Sequence, residues 1–385
     1  MRRILIIGGG AEDKHIGNII RECKKINDSI SFDFFDIQNV DNCLFRKEVG
    51  LYFTIQKHAP LWMYAVPKLR GYLQYRDIIL SLKECAKSCR KQNIVYDVCQ
   101  IHYLLSFYVH VISDFKAISK KFVLTPWGSD VLRVPDKNLK DLRKLVLLSD
   151  IVTIQQGSRF EQDVKRILDV PQNKLYDLAF GVKSIDEILE HQSVTTQEAK
   201  KVLDISTDSY SIVIGYNANF EHNHLKVIDK LATIKEQLPH NYLLVFPLTY
   251  GGNPEYKAQI KSSLESYQFH YLIFDKYMSN VDIVNLRIAT DLFIHAQTTD
   301  ANAGTIAEYL LCQKKIVNPT WITYPQYEMY GSPFYSFSSF DELPEVVLSA
   351  IHDSTCKVSP LLKEDIRKRG WKEKSKEWVA FYTHN

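Results

Sequence analysis

Asp291-Leu-Phe-Ile-His-Ala-Gln-Thr-Thr-Asp-Ala-Asn-Ala-Gly-Thr-Ile-Ala-Glu-Tyr-Leu-Leu-Cys-Gln-Lys-Lys-Ile-Val317 reads as a short apolar strand, a small polar loop, a helix opening near Asn302 to Thr305, and a second apolar strand around Ile316. Two carboxylates eight apart, Asp300 and Glu308, frame the loop and the first helical turns. If both were helical, that spacing, slightly more than two turns, would bring them onto one face. If the helix begins only after Asp300, the two acids instead bracket a cleft at a strand's carboxyl end, where open α/β sheets bind ligands.

The same alternation extends in both directions. Residues 4–7 are an apolar run followed by Gly8-Gly9-Gly10 and a helix over 15–25; further strands are expected at 31–37, 97–101, 122–125 and 151–154, with helical stretches at 59–92 and 139–148. A polar stretch, 184–208, reads as a linker plus a surface helix. The pattern then restarts with strands at 210–214, 243–246 and 272–274 and helices at 224–237, 255–267 and 280–289. Strands alternating with helices predict parallel sheets. The expected organisation is two α/β domains, 1–185 and 186–365, and a charged helical tail, 366–385, packing back on the first.

At 385 residues the chain is too long for one ordinary core and suits two. A content of 45% hydrophobic and 24% charged residues is that of a globular protein, and a net charge of +3 is too weak to argue for nucleic acid. No apolar run reaches the roughly 18 residues of a membrane span, and the run after Met-Arg-Arg is too short for a signal peptide. These features lead to the expectation of a cytoplasmic protein. The seven cysteines are scattered; Cys85 and Cys89 alone are close, and they lack the further ligands of a zinc site, so reduced thiols are expected.

Candidate site residues gather at predicted strand ends. Gly9 and Gly10 let a ligand approach backbone, but Ala11 and Glu12 spoil a GxGxxG pattern, and no acid suited to a ribose ends the next strand. His102 stands at a strand end, as a core histidine or as a cleft residue. In Trp127-Gly-Ser-Asp130, Ser129 and Asp130 either cap a helix or face the cleft. Gly215-Tyr-Asn-Ala-Asn-Phe-Glu-His-Asn-His224 is dense in donors before a helix start and suits a diphosphate through Asn217, Asn219, His222 and His224. A metal on His222 and His224 lacks further ligands. Thr249 and Tyr250 in Pro247-Leu-Thr-Tyr-Gly-Gly-Asn-Pro254 either wall a nucleotide base or simply turn the chain, and backbone near Lys276 suits a planar base. Asn302, Ala303, Gly304 and Thr305 would admit a phosphate or sugar at a helix start.

Together these segments resemble the GT-B glycosyltransferases, two Rossmann-like domains facing across a cleft. Tyr96-Asp-Val-Cys-Gln-Ile-His-Tyr103 and Trp127-Gly-Ser-Asp130 are similar to the strand ending in histidine and the His-Gly-Ser-Asp turn of glycosyltransferase family 4, and Asp300 to Glu308 to its Glu-x7-Glu motif. The resemblance implies that Glu308 bonds the donor ribose, that Asp300 touches the transferred sugar, and that 302–305 hold the diphosphate. The family's Gly-Arg and Lys are missing at Gly215-Tyr216. That stretch and Phe246-Pro-Leu-Thr-Tyr-Gly-Gly-Asn-Pro-Glu-Tyr256 are similar instead to the Fuc4NAc (4-acetamido-4,6-dideoxygalactose) transferase, which uses a dTDP-sugar and a polyprenyl-linked acceptor.

The first family implies retention of anomeric configuration and the second inversion; retention is favoured. The expected activity is transfer of a hexose or N-acetylaminosugar from a UDP-, dTDP- or GDP-sugar to a glycan or polyprenyl-linked acceptor in bacterial surface polysaccharide synthesis, without metal or other cofactor. Protonated His222 or His224 would replace the missing cations, and Asp130 or His102 would be the base of an inverting mechanism. A non-catalytic nucleotide-sugar binding protein and a sugar-nucleotide epimerase are the alternatives. The aromatic, cationic stretch 60–70 and the Trp-bearing tail either pack in the core or dock on the cytoplasmic face of the inner membrane.

Overall fold

A computed structural model describes residues 2–11, 13–301, 304–355 and 358–384. The chain forms two compact units, Met1–Gly181 with Trp371–Asn385, and Val182–Gly370. The first is built on β1 (Arg2–Gly8), β2 (Ile30–Asp36), β3 (Tyr52–Thr54), β4 (Tyr96–His102), β5 (Ser119–Thr125), β6 (Ile151–Ile154) and β7 (Leu175–Asp177). Their order is β3-β2-β1-β4-β5-β6-β7, and every neighbouring pair is parallel. Ile4 to Ile7 are wholly buried, as a strand covered by helices on both faces requires.

The second unit holds β8 (Tyr210–Ile214), β9 (Tyr242–Pro247), β10 (Tyr271–Phe274), β11 (Leu292–Ile294), β12 (Lys315–Pro319) and β13 (Phe334–Phe337), all parallel, in the order β10-β9-β8-β11-β12-β13. The α/β class expected from the alternating pattern is the class observed. In each sheet the strand order reverses beside the first strand, between β1 and β4 and between β8 and β11, so connections leave these pairs in opposite directions. A crevice at the strands' carboxyl ends is the consequence.

Three strands escape the sequence pattern. β3, β7 and β13 are sheet edges of three or four residues, too short to show an apolar run. Where a linker plus a surface helix was expected over 184–208, two helices form, Lys183–Glu190 and Thr196–Val202, whose Ile185, Ile188 and Ala199 enter the core of the second unit. Polar composition hid their apolar faces, and the Thr195–Glu198 capping box that starts the second helix is made of the very residues that read as linker. Residues 59–66 are not part of the long helix: a 3-10 turn, Leu61–Ala65, precedes Pro67–Lys91, because Pro67 favours the first helical position and holds Val66 extended.

The C-terminal residues belong to both units. Helix Pro360–Arg367 packs in the second, with Leu362 and Ile366 in its core, and helix Trp371–His384 in the first. Trp371, Trp378, Phe381 and Tyr382 are buried among Ile4, Ile6, Phe32 and Phe34, so the aromatics of this helix serve the core and not a membrane. The Tyr382 hydroxyl donates to Gln100 Oε1 at 2.5 Å, continuing a buried polar chain through Thr125 to Thr153. No helix among the described residues is long and apolar enough to cross a membrane. Trp378→Ala is expected to lower unfolding free energy by about 3–5 kcal/mol, the cost of emptying a buried aromatic site, measured by urea denaturation of the full chain.

Candidate functional site

In the second unit the carboxyl ends of β8 and β11 are tied together by side chains the sequence places in their loops. Gly215 leaves β8 with φ +66°, a left-handed turn open to glycine, and its N–H donates to Ile294 O at 3.1 Å. Tyr216 reaches across to Gln297 Oε1 at 2.9 Å. Asn223, itself left-handed, donates through Nδ2 to Ala296 O at 2.8 Å, and the Thr298 N–H donates to Glu221 O at 2.9 Å. His295 is wholly buried between Asn318 Oδ1 and Gln297 Oε1, and the Trp321 indole donates to Gln297 O. These bonds pre-set both loops before any ligand arrives.

The loop after β9 closes on the same turn. Asn217 Oδ1 accepts from Asn219 N at 2.8 Å, Ala218 N donates to Tyr250 O at 2.8 Å, and Asn219 Oδ1 accepts from Gly252 N at 3.2 Å. Asn217, Asn219 and Tyr250 therefore come together, with Thr249 half-buried beside them in the chain. Lys276 is exposed after β10, an edge strand two spacings, roughly 10 Å, from β8.

The decisive helix runs Gly304–Leu311, so Asp300 lies in the loop before it and not on its face. Asp300 is half-buried and accepts from the Tyr324 hydroxyl. Gly304 and Thr305 open the helix, both half-buried; a side chain on Gly304 would crowd Val182 at 3.1 Å. Asn302 and Ala303 lie outside the described residues. Glu308 is buried and doubly held: Oε2 meets Arg287 Nε at 2.7 Å, and Oε1 accepts from the Ser184 hydroxyl. Arg287, equally buried, also donates to the Tyr309 hydroxyl at 3.0 Å. Burial alone lowers its pKa, but Tyr309 and Glu308 more than offset that and hold it above the usual value.

His224 is not the cation it was expected to be. His222 and His224 are both wholly buried against Gly215, with the His222 ring edge-on to Tyr216 at 4.3 Å. Burial pulls His224 down to about 4, so it is neutral at neutral pH, and its Nδ1 lies 3.3 Å from the Tyr256 hydroxyl. They support the turn from beneath. Among the described residues no three His, Cys, Asp or Glu side chains gather as a metal site requires.

Gly9, Gly10, His102 and Asp130 belong to the first unit. There Asp36 is the acid that ends β2, but it is not free for a ribose. Its wholly buried carboxylate is already occupied by Gly10 N at 2.8 Å, Gln38 N, Val40 N and the Tyr52 hydroxyl. The glycine turn thus spends the Gly10 N–H on Asp36 and the Ala11 N–H on Gln38; Gly9, just before them, lies so close to the Gln38 side chain that a Cβ there would clash with it. His102 is wholly buried among Trp127, Phe180 and Trp378, and burial, with His15 adding to it, drives it down to about 3. Asp130 is buried too, accepting from Leu104, Trp127 and Gly128 N–H groups at 2.7–2.9 Å. Burial raises its pKa while those donors lower it. Both side chains make internal contacts, and Asp130 holds Gly128 at φ +134°.

Arg287, Ser184, Tyr324 and Asn223 were not among the candidates legible in the sequence, nor was Tyr103, a bulky residue at φ +65° directly after His102. Arg287 had a signal: a lone cation in the apolar helix Asn280–Ala289 must find a buried partner.

Comparison with solved structures matches the whole chain. A glycosyltransferase from Rickettsia africae aligns over 99% of this chain and 98% of its own at TM-score 0.73 and 15% identity. HepE from Anabaena, in complex with UDP and glucose, aligns over 100% of both chains at 0.67 and 13%. UDP-GlcNAc 2-epimerase from Neisseria meningitidis, bound to UDP-GlcNAc, aligns over 100% of both at 0.61 and 16%. Identities this low establish the fold alone, which is GT-B; neither family 4 nor the Fuc4NAc transferase is singled out. No protein-family model matches the chain, and no curated protein sequence does.

Glu308→Ala is expected to lower unfolding free energy by about 3–5 kcal/mol, because it strands the buried Arg287 charge; a paired Glu308→Ala/Arg287→Met chain should recover part of the loss in chemical denaturation. Stability should also depend on acid. The unfolded chain protonates His224 as pH falls below about 6.5, while the folded chain, at about 4, resists. Unfolding free energy therefore shrinks from pH 6.5 towards 4, by on the order of 3 kcal/mol from this residue, and His224→Gln should flatten that slope.

Proposed function

We propose that this protein is a glycosyltransferase that binds a nucleoside-diphosphate sugar at the carboxyl ends of β8 and β11. The observation that carries the reading is the placement of Asp300 and Glu308 on either side of the start of helix Gly304–Leu311, beside the point where the sheet order reverses. Free N–H groups and the helix dipole at that start favour a diphosphate. Glu308, fixed by Arg287 and Ser184, keeps lone pairs for ribose hydroxyls, and Asp300, steadied by Tyr324, faces the transferred sugar. The pre-set loops Gly215–Asn219 and Thr249–Gly252 wall the nucleotide, and Lys276 is an exposed cation after β10.

The chemistry asked of the protein is modest. As the sugar–oxygen bond breaks, negative charge grows on the leaving diphosphate, and fixed N–H dipoles stabilise it without reorganising. His224, neutral at neutral pH, acts as a positioning residue for Gly215, and the His222 ring packs against Tyr216. With His102 and Asp130 committed to internal contacts, the case for a general base in the first unit weakens, and retention is favoured. UDP, dTDP and GDP donors, metal-free transfer to a glycan or polyprenyl-linked acceptor, and a role in surface polysaccharide synthesis complete the reading.

A second reading, sugar-nucleotide epimerisation, is kept by the full-length likeness to UDP-GlcNAc 2-epimerase. Incubating the protein with UDP-, GDP- and dTDP-sugars and a polyprenyl-phosphate acceptor separates the two. Transfer predicts released nucleoside diphosphate and a glycosylated lipid; interconversion of donor isomers without acceptor supports the epimerase, and binding with neither supports a carrier protein. Asp300→Asn should lower turnover about tenfold or more, the worth of one hydrogen bond to a charged group, with the melting temperature unchanged.

A further inference from the structure

Six large apolar side chains left exposed by the fold fall within fifteen residues: Leu61, Trp62, Val66, Leu69, Tyr72 and Tyr75. Leu61 and Trp62 are 69% exposed and Tyr72 is 65%, which excludes the core-packing reading of this stretch. The 3-10 turn Leu61–Ala65 presents the first two, Val66 links it to helix Pro67–Lys91, and the first turns of that helix present Leu69, Tyr72 and Tyr75. Leu69, Tyr72 and Tyr75 recur every third residue along that helix, while Leu73 and Asp77 turn into the core.

Charge accompanies them. From 51 to 76 the chain carries Lys57, Lys68, Arg70 and Arg76 and no Asp or Glu. Lys68 and Arg70 are exposed between the apolar positions, and Lys57 lies over the Tyr64 ring at 5.4 Å. The acids packed nearby are few and at the margins. Asp77 is buried and accepts from His58 N and the Tyr64 hydroxyl; Glu84 lies 3.7 Å from His58; Asp141 acts on Tyr75 at the far end.

We infer that residues 61–76 form a docking surface for an anionic lipid bilayer. Trp and Tyr favour the boundary between headgroups and acyl chains, where their rings bury apolar area and their polar atoms stay wet. Lysines and arginines interleaved with them are drawn to an anionic leaflet. A surface that is apolar and cationic at once, with its acids at the margins, matches both features of that partner. The inference is independent of the glycosyl-transfer reading, since docking is measured without substrate.

The test is co-sedimentation of the full chain with phosphatidylglycerol-rich vesicles and with pure phosphatidylcholine vesicles. The protein is expected to partition onto the anionic vesicles, more weakly in high salt and far less onto the neutral ones. Lys68→Gln/Arg70→Gln should lower the partition coefficient on the order of fivefold per charge, and Leu61→Ser/Trp62→Ser should lower it as well. These side chains are exposed, so the melting temperatures should hold; Tyr72→Ser replaces any variant whose melting temperature falls. Vesicles with brominated acyl chains should quench Trp fluorescence in the native chain and less in Trp62→Phe. Absence of binding, or equal binding by the native chain and Lys68→Gln/Arg70→Gln, overturns the inference. So does a dimer in sedimentation velocity that Trp62→Ser abolishes while vesicles are ignored, which would make the surface a protein interface.

Discussion

The reversal of strand order between β8 and β11 is the constraint on which the candidate site depends. Parallel strands send their carboxyl ends to one edge of the sheet, and helices normally cross over that edge. Where the order reverses, successive connections depart to opposite sides and leave the edge uncovered. The candidate site residues of the second unit elaborate that opening. Gly215 turns sharply away from β8, Asn223 and Tyr216 lash the two loops together, and the helix beginning at Gly304 offers its amino end to the gap.

The buried pair of Arg287 and Glu308 extends this logic from geometry to electrostatics. Two charges removed from water are tolerable because each satisfies the other, with Ser184 and Tyr309 filling further positions. The arrangement gives Glu308 a fixed orientation that a surface carboxylate would lack. It also places a buried cation beside Glu308 in a unit whose sequence lacks the Arg and Lys of the transferases it resembles. Histidines stand there instead, and burial makes His224 neutral. The turn they support is held by shape and hydrogen bonding more than by charge.

Much of this was legible beforehand, and the failures share causes. Long apolar runs such as residues 4–7 announced buried strands, and the strand–loop–helix–strand at 291–317 announced the parallel class. Edge strands β3, β7 and β13 did not, because a strand paired on one side needs only a few apolar residues. Helices at 183–202 were disguised by polar faces. Side-chain roles were the least legible. His102, Asp130 and Asp36 sit at strand ends, where ligands bind, but turns there also need internal acceptors. Burial, which decides between the two uses, is a property of the fold and not of the residue.

The first unit carries an independent feature, an exposed aromatic and cationic edge at 61–76 that its own core leaves uncovered. It shares no residue with the opening at β8 and β11. Whether nucleotide binds at that opening is the claim that matters most. A crystal structure of the full chain soaked with UDP, GDP or dTDP tests it directly. Density for the pyrophosphate at the amino end of helix Gly304–Leu311, with the ribose against Glu308, is the predicted result. A nucleotide bound elsewhere, or a Glu308 carboxylate that contacts only Arg287 and Ser184 in the bound state, would contradict it.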